Sequence, residues 1–178
     1  MLKSWSKTPV AVAIVILSFA CPTELSLFVG SLRLPPHRLA LIAFAIPAII
    51  YFFGRGRARI TAFDLLFLAY NLWTVGVFMI HLGASDGFEF GGSLAVESFG
   101  GYLIARAYVR DLDSFRASLG FLVFTVAAVA LLALPETLSG RILVHDWLRA
   151  MTGYYHPIGV ETRLGLTRAY STFDHPIL

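Results

Sequence analysis

Residues 115–134, FRASLGFLVFTVAAVALLAL, decide how this chain is read. The run carries one charge, Arg116, and no proline. A helix rises about 1.5 Å per residue, so such a run covers about 30 Å, the thickness of a bilayer's hydrocarbon core. Four more apolar segments precede it, at about Pro9–Gly30, Leu39–Phe53, Ile60–Leu82 and Gly92–Tyr108. The first is interrupted by Pro22 and Glu24, the second is short and carries Pro47, and the fourth is the least hydrophobic. The pattern predicts an all-α fold: a polytopic transmembrane bundle of about five membrane helices over residues 1–134, then an extracytoplasmic tail over 135–178.

Composition agrees. Of 178 residues, 57% are hydrophobic and 14% charged, against roughly 25% charged in a soluble domain. The net charge of +3 is that of basic residues anchoring cytoplasmic loops rather than of a nucleic-acid surface. With one cysteine, Cys21, no intramolecular disulfide framework or multi-cysteine metal site can form. Lys3 and Lys7 before an apolar run, with Ser18-Phe19-Ala20 after it, resemble a signal peptide. Further apolar segments follow, so the first is read as an uncleaved helix.

Charge asymmetry sets the orientation. Arg55, Arg57 and Arg59 crowd the turn between segments two and three, whereas 83–91, between three and four, holds Asp86 and Glu89 and no basic residue. The positive-inside rule places the arginine turn in the cytoplasm and the acidic turn outside. Lys3, Lys7, Arg106, Arg110 and Arg116 then fall inside, and Arg33 and Arg38 fall outside against the trend. The N-terminus is expected in the cytoplasm, and the chain after Leu134 on the periplasmic face of a bacterial inner membrane.

In that tail, Ile142–Met151 can form a short amphipathic helix with Leu143, Val144, Trp147, Leu148 and Met151 on one face. Arg141, His145 and Arg149, at i, i+4 and i+8, share the other. It is expected to lie in the membrane interface with Trp147 as anchor. Arg163 and Arg168 are the leading substrate-binding candidates, because guanidinium groups hold phosphate oxygens through paired, charge-assisted hydrogen bonds. The diphosphates available outside a bacterial membrane are polyprenyl carriers of sugars. The competing reading pairs these arginines with lipid headgroups or with Glu161 and Asp174. Arg141 and Arg149 are secondary candidates. His175 suits a general base or a phosphate contact, or is simply a helix-start residue after the N-cap candidate Asp174.

Within the spans, Glu97 and Arg106 lie nine residues apart on opposite helix faces, so each needs a partner elsewhere. Asp64 and Asn71 share a face of segment three and are candidates for bonding to neighbouring helices or for lining a transport path. There is no HExxH, CxxC, Walker A or GxGxxG pattern, so no metal and no cofactor is expected.

The closing R-x-G-x-x-R-A-x-x-x-F-x-H-P-I, Arg163 to Ile177, resembles the outer-loop motif of the bacterial O-antigen ligase and polysaccharide polymerase superfamily. Val29-Gly30-Ser31-Leu32-Arg33-Leu34 before Arg38-Leu39 is similar to that family's first outer connection. Glu97-Ser98-Phe99-Gly100-Gly101-Tyr102 with Ala105-Arg106 is similar to its fourth helix. The resemblance implies a polytopic glycosyltransferase that moves glycan from an undecaprenyl-diphosphate donor to a lipid or glycan acceptor without metal or nucleotide sugar. It implies that Arg163 and Arg168 contact the diphosphate or shape its site, and it leaves His175 without a firm role. The family's large outer loop and later helices would follow Leu178, so the chain is expected to be an N-terminal part, inactive alone. Two other classes compete: a membrane transporter or its subunit, suggested by Pro22, Pro47, Asn71 and Glu97, and a non-catalytic membrane scaffold.

Overall fold

The computed structural model describes residues 7–30, 32–53, 59–153, 162–163, 166–167 and 171–172. The described chain is all-α apart from two small antiparallel pairs. Helix α1 (Val10–Phe19) leads through a 3₁₀ turn (Thr23–Leu25) to β1 (Leu27–Val29) and β2 (Leu32–Leu34). Then come α2 (Pro36–Phe53), α3 (Ala62–Leu82) and α4 (Ala84–Ala95), which passes through a π-helical turn (Val96–Gly100) into α5 (Gly101–Tyr108). Helices α6 (Leu112–Ser139) and α7 (Leu143–Thr152) follow, then β3 (Thr162–Arg163) and β4 (Leu166–Thr167).

Local chemistry explains the boundaries. Thr61 caps α3 and Asp64 returns the bond, and Asp111 and Ser114 do the same for α6. Each such reciprocal pair satisfies two N–H groups that a helix start leaves orphaned. Only Gly83 separates α3 from α4, at φ 89°, a conformation open to a residue without Cβ. The two helices fold back so closely that a Cβ on Gly87 would lie 2.3 Å from the Phe78 carbonyl oxygen. Gly91 meets Val75 in the same way one turn on, a small-xxx-small contact that brings backbone against backbone.

This corrects the boundaries read from hydropathy. The acidic stretch 83–91 is helical almost from its first residue, and α6 runs five residues past Leu134, through Pro135. Among the described residues two helices, Ala62–Leu82 and Leu112–Ser139, are long and apolar enough to cross a membrane. Val10–Phe19 and Pro36–Phe52 are apolar but shorter, so the structure carries two such helices where five were expected. The first stops short because Pro22 cannot continue it. The α4–α5 helix is long but carries Asp86, Glu89, Glu97 and Arg106.

Helix α6 is packed inside out. It turns Ser114, Ala117, Ser118, Thr125, Val129 and Glu136 inward while phenylalanine, leucine and valine side chains point away from the bundle. On α3, Trp73 is 74% and Ile80 81% exposed. Alternating helix directions gather Lys7, Asp64, Arg106, Arg110 and Asp113 at one end of the bundle, the Lys7 end. The 3₁₀ turn, both short strand pairs and α7 lie at the opposite, Glu24 end.

Candidate functional site

At the Glu24 end the chain leaves α1, makes the β1–β2 hairpin and enters α2, and this reversal brings Arg33, His37 and Arg38 together. Arg33 donates to the Thr23 carbonyl at 2.9 Å and to Ser26 Oγ at 3.1 Å. Arg38 Nη1 reaches the Arg33 carbonyl at 3.3 Å, and its Nε donates to Glu97 Oε1 at 2.7 Å. His37 Nε2 lies 3.3 Å from the same carboxylate oxygen, and its ring stacks on Phe19 at 4.8 Å. A cavity of about 260 Å³ opens among Thr23, Arg33, His37, Arg38 and Glu97. Arg38 also borders a cavity of about 390 Å³ against Glu89, Gly92 and Ser93 on α4. The cluster thus offers guanidinium and imidazole groups held half-buried beside space.

The π-helical turn makes this arrangement possible. Consecutive helical residues point about 100° apart, and a π turn accommodates one extra residue in the helix. Glu97 turns to Arg38 on α2, while the next residue, Ser98, donates to Asn71 on α3 and to the Leu94 carbonyl at 2.8 Å. Below the cluster a groove of about 310 Å³ runs between α2, α3 and the π turn, lined by Ile42, Ile46, Leu72, Val75 and Phe99, with Asn71 among them. Its wall is almost wholly apolar.

A second polar layer closes the same end. Glu24 of the 3₁₀ turn hydrogen-bonds His145 Nδ1 of α7, both side chains fully buried. Glu136, 1% exposed, accepts from Val144 N at 3.1 Å with Oε1 and from Ser171 N at 2.6 Å with Oε2. Strand β4 packs against α6.

The Lys7 end is built differently. Arg106 meets both carboxylate oxygens of Asp64, at 2.7 and 2.9 Å, and donates to the Arg59 carbonyl at 2.8 Å. Tyr102 donates to the same carboxylate. Arg106 lies over the Phe52 ring and Arg110 over that of Tyr51. Asp64 and Asn71 therefore bond to the neighbouring helix, and Glu97 and Arg106 find their partners on separate elements.

The sequence-derived site residues fare unevenly. Helix α7 exposes Leu143, Trp147 and Met151 and buries His145 and Leu148. This overturns the expected division: His145 belongs to the buried side, drawn there by Glu24, and Leu148 faces away from Trp147. Arg141 is exposed, and Arg149 is partly buried with Asp146 at 3.5 Å. The backbone of Arg163 pairs with Leu166 in the β3–β4 ladder. Its side chain, Arg168 and His175 lie outside the described residues. Sequence reasoning missed Glu24, His37 and Glu136 as site residues, and it met Arg33 and Arg38 as exceptions to the charge rule and within the first outer connection, without giving them a role in a site. That exception was the available signal. Among the described residues no cluster of histidine, cysteine and carboxylate side chains could hold a metal.

No family model, curated protein or solved structure matches this chain.

Proposed function

We propose that the chain is the N-terminal part of an integral-membrane glycan transferase of the O-antigen ligase or polysaccharide polymerase type, working in cell-surface polysaccharide synthesis. In this reading its spans are the five apolar segments. The Lys7 end lies in the cytoplasm and the Glu24 end faces the periplasm. The inside-out packing of α6 favours lipid as surroundings, since small and polar residues mediate helix contacts where lipid replaces water. One observation carries the functional reading. Arg33, His37 and Arg38 gather around open space at the end where the β3–β4 segment also lies, away from the end the positive-inside rule assigns to basic residues.

In this reading Arg163 and Arg168 hold the diphosphate of a polyprenyl-linked glycan donor. The bond from the anomeric carbon to the diphosphate oxygen breaks, and the electron pair leaves with the diphosphate. The acceptor hydroxyl forms the new glycosidic bond and gives up its proton, with His175 the candidate base. Negative charge grows on the leaving group, so fixed guanidinium groups stabilise the transition state more than the ground state. A transport path is less well supported. Asn71 and Glu97 are each engaged with a neighbouring helix, and the groove near Asn71 is apolar.

The test is glycan transfer in membranes of a strain deleted for the gene and complemented with the full-length protein, its abundance checked by blot. The double variant Arg163→Ala, Arg168→Ala is expected to lose transfer on the order of 10²-fold or more. Wild-type transfer at normal abundance would refute the diphosphate role.

A further inference from the structure

Three elements meet at one carboxylate near the end of α6. Glu136 sits on the inward face of the helix and is almost completely buried. One of its oxygens accepts the N–H of Val144, in the first turn of α7. Helix α7 has no side-chain cap of its own at Ile142, so an orphan donor of its first turn is satisfied from another helix. A carboxylate there also faces the positive end of the helix dipole. The other oxygen accepts the N–H of Ser171, whose hydroxyl donates to the Val129 carbonyl at 3.1 Å. Ser171 has φ 52°, a left-handed conformation uncommon for a residue with a side chain. Such a backbone persists where its surroundings over-determine it, and here both its N–H and its hydroxyl are engaged within a fully buried site.

We infer that Glu136 is a positioning residue: its carboxylate clamps α7 and the tail at Ser171 onto α6, and so fixes where the segment bearing Arg163 and Arg168 lies. The functional consequence rests on the proposed glycan transfer, but the clamp itself does not. The Glu24–His145 contact bolts the same helix to the 3₁₀ turn from its other side. Helix α7 is then held between two buried acids while Leu143, Trp147 and Met151 stay free to meet lipid. A buried carboxylate that accepts two backbone N–H groups does what neither an apolar side chain nor an amide can, because an amide offers one acceptor and one donor.

The experiment measures cysteine labelling by a maleimide in detergent micelles, so it depends neither on topology nor on transfer. The full-length protein carries Ser171→Cys or, as an exposed reporter on α7, Trp147→Cys, with Cys21 and any other native cysteine replaced by serine. With Glu136 intact, Cys at 171 is expected to react at least about tenfold more slowly than Cys at 147, because reaction requires local opening. Glu136→Met keeps the volume and removes both acceptors, and should bring labelling at 171 close to the rate at 147. Glu136→Gln keeps one acceptor and should fall between them. A cooperative melting transition in detergent reports that each variant is folded, and labelling at 147 sets the rate for an open position. If Glu136→Met and Glu136→Gln both leave position 171 as protected as the parent, Glu136 merely fills space and the clamp is refuted. In a parallel transfer assay, Glu136→Met should raise KM for the lipid-linked donor more than it lowers kcat. Loss of protection at 171 with no transfer by the parent protein would leave the clamp standing and remove the glycan-transfer reading.

Discussion

The two ends of the bundle use the same residue types to different effect. At the Lys7 end, Asp64 is surrounded: Thr61, Tyr102 and both contacts of Arg106 converge on one carboxylate, and aromatic rings lie beneath the arginines. At the Glu24 end, Glu97 also binds an arginine, yet Arg38 and its neighbours also border cavities. A charge whose partners are complete ties helices together. A charge held in place beside empty volume can also meet a ligand, and its pairing orients it while leaving it within reach. The Lys7 end is thus the sealed one, and the Glu24 end is the one whose charges border open volume.

Substitutions can separate the two ends. Asp64→Ala leaves Tyr102 and Arg106, both on α5, without their shared acceptor on α3. The loss expected is roughly 2–3 kcal/mol, below the ~3–5 of a fully buried pair because Arg106 is partly exposed. It should appear as a lower melting temperature in detergent, with transfer per folded molecule unchanged. Reduced transfer at unaltered stability would reverse the assignment of the ends.

Glu97→Ala should cost less stability, about 1 kcal/mol, since water can reach Arg38 through the cavity. Transfer per folded molecule should nevertheless drop about tenfold, because the guanidinium loses its fixed orientation. A variant with full transfer would make Glu97 a structural tie like Asp64.

Lys7 and Asp113 form an exposed pair at 2.6 Å, and Lys7→Ala should leave the melting temperature unchanged within error. The hydrogen bond to Asp113 and the charge of that carboxylate raise the Lys7 ammonium above its ordinary value of 10.5. A raised value means that any contribution is fully present below the unfolded lysine pKa and lost as pH rises through the folded one. Stability near neutral pH should therefore not vary with pH through this pair. A melting temperature that fell in Lys7→Ala at neutral pH would show that the sealed end extends to its rim.

Part of this contrast was readable from residues alone. Glu97 and Arg106, nine residues apart, were expected to need separate partners, and they find them on α2 and α3. Asp64 and Asn71 likewise announced an interhelical face. Hydropathy failed where polar residues serve packing. Asp86, Glu89 and three glycines made 83–91 look like a loop, although Gly87 and Gly91 are the residues that let α4 lie against α3. The apolar run ended at Leu134 on paper, while in the fold α6 continues through Pro135 and the buried Glu136 to Ser139. For α7, one apolar face was assigned to the membrane interface and His145 to the other, and the buried acid Glu24, 121 positions away, decided that His145 turns inward. The site at Arg33 and Arg38 depends on contacts of that kind, far apart along the chain.

The π-helical turn makes this helix tolerant of a change in length at one place. A deletion of one codon within 96–100 would let the helix close into regular α turns, because the turn holds one residue more than an α-helix would. Gly87 and Gly91 would keep their seat against α3, and Tyr102 and Arg106 would still face Asp64. What would be lost is the placing of the neighbours Glu97 and Ser98 on two different helices. A deletion outside that turn would instead rotate everything downstream on the helix by about 100°. Lineages carrying this arrangement should accept the loss of a residue at 96–100 more readily than elsewhere in α4 or α5.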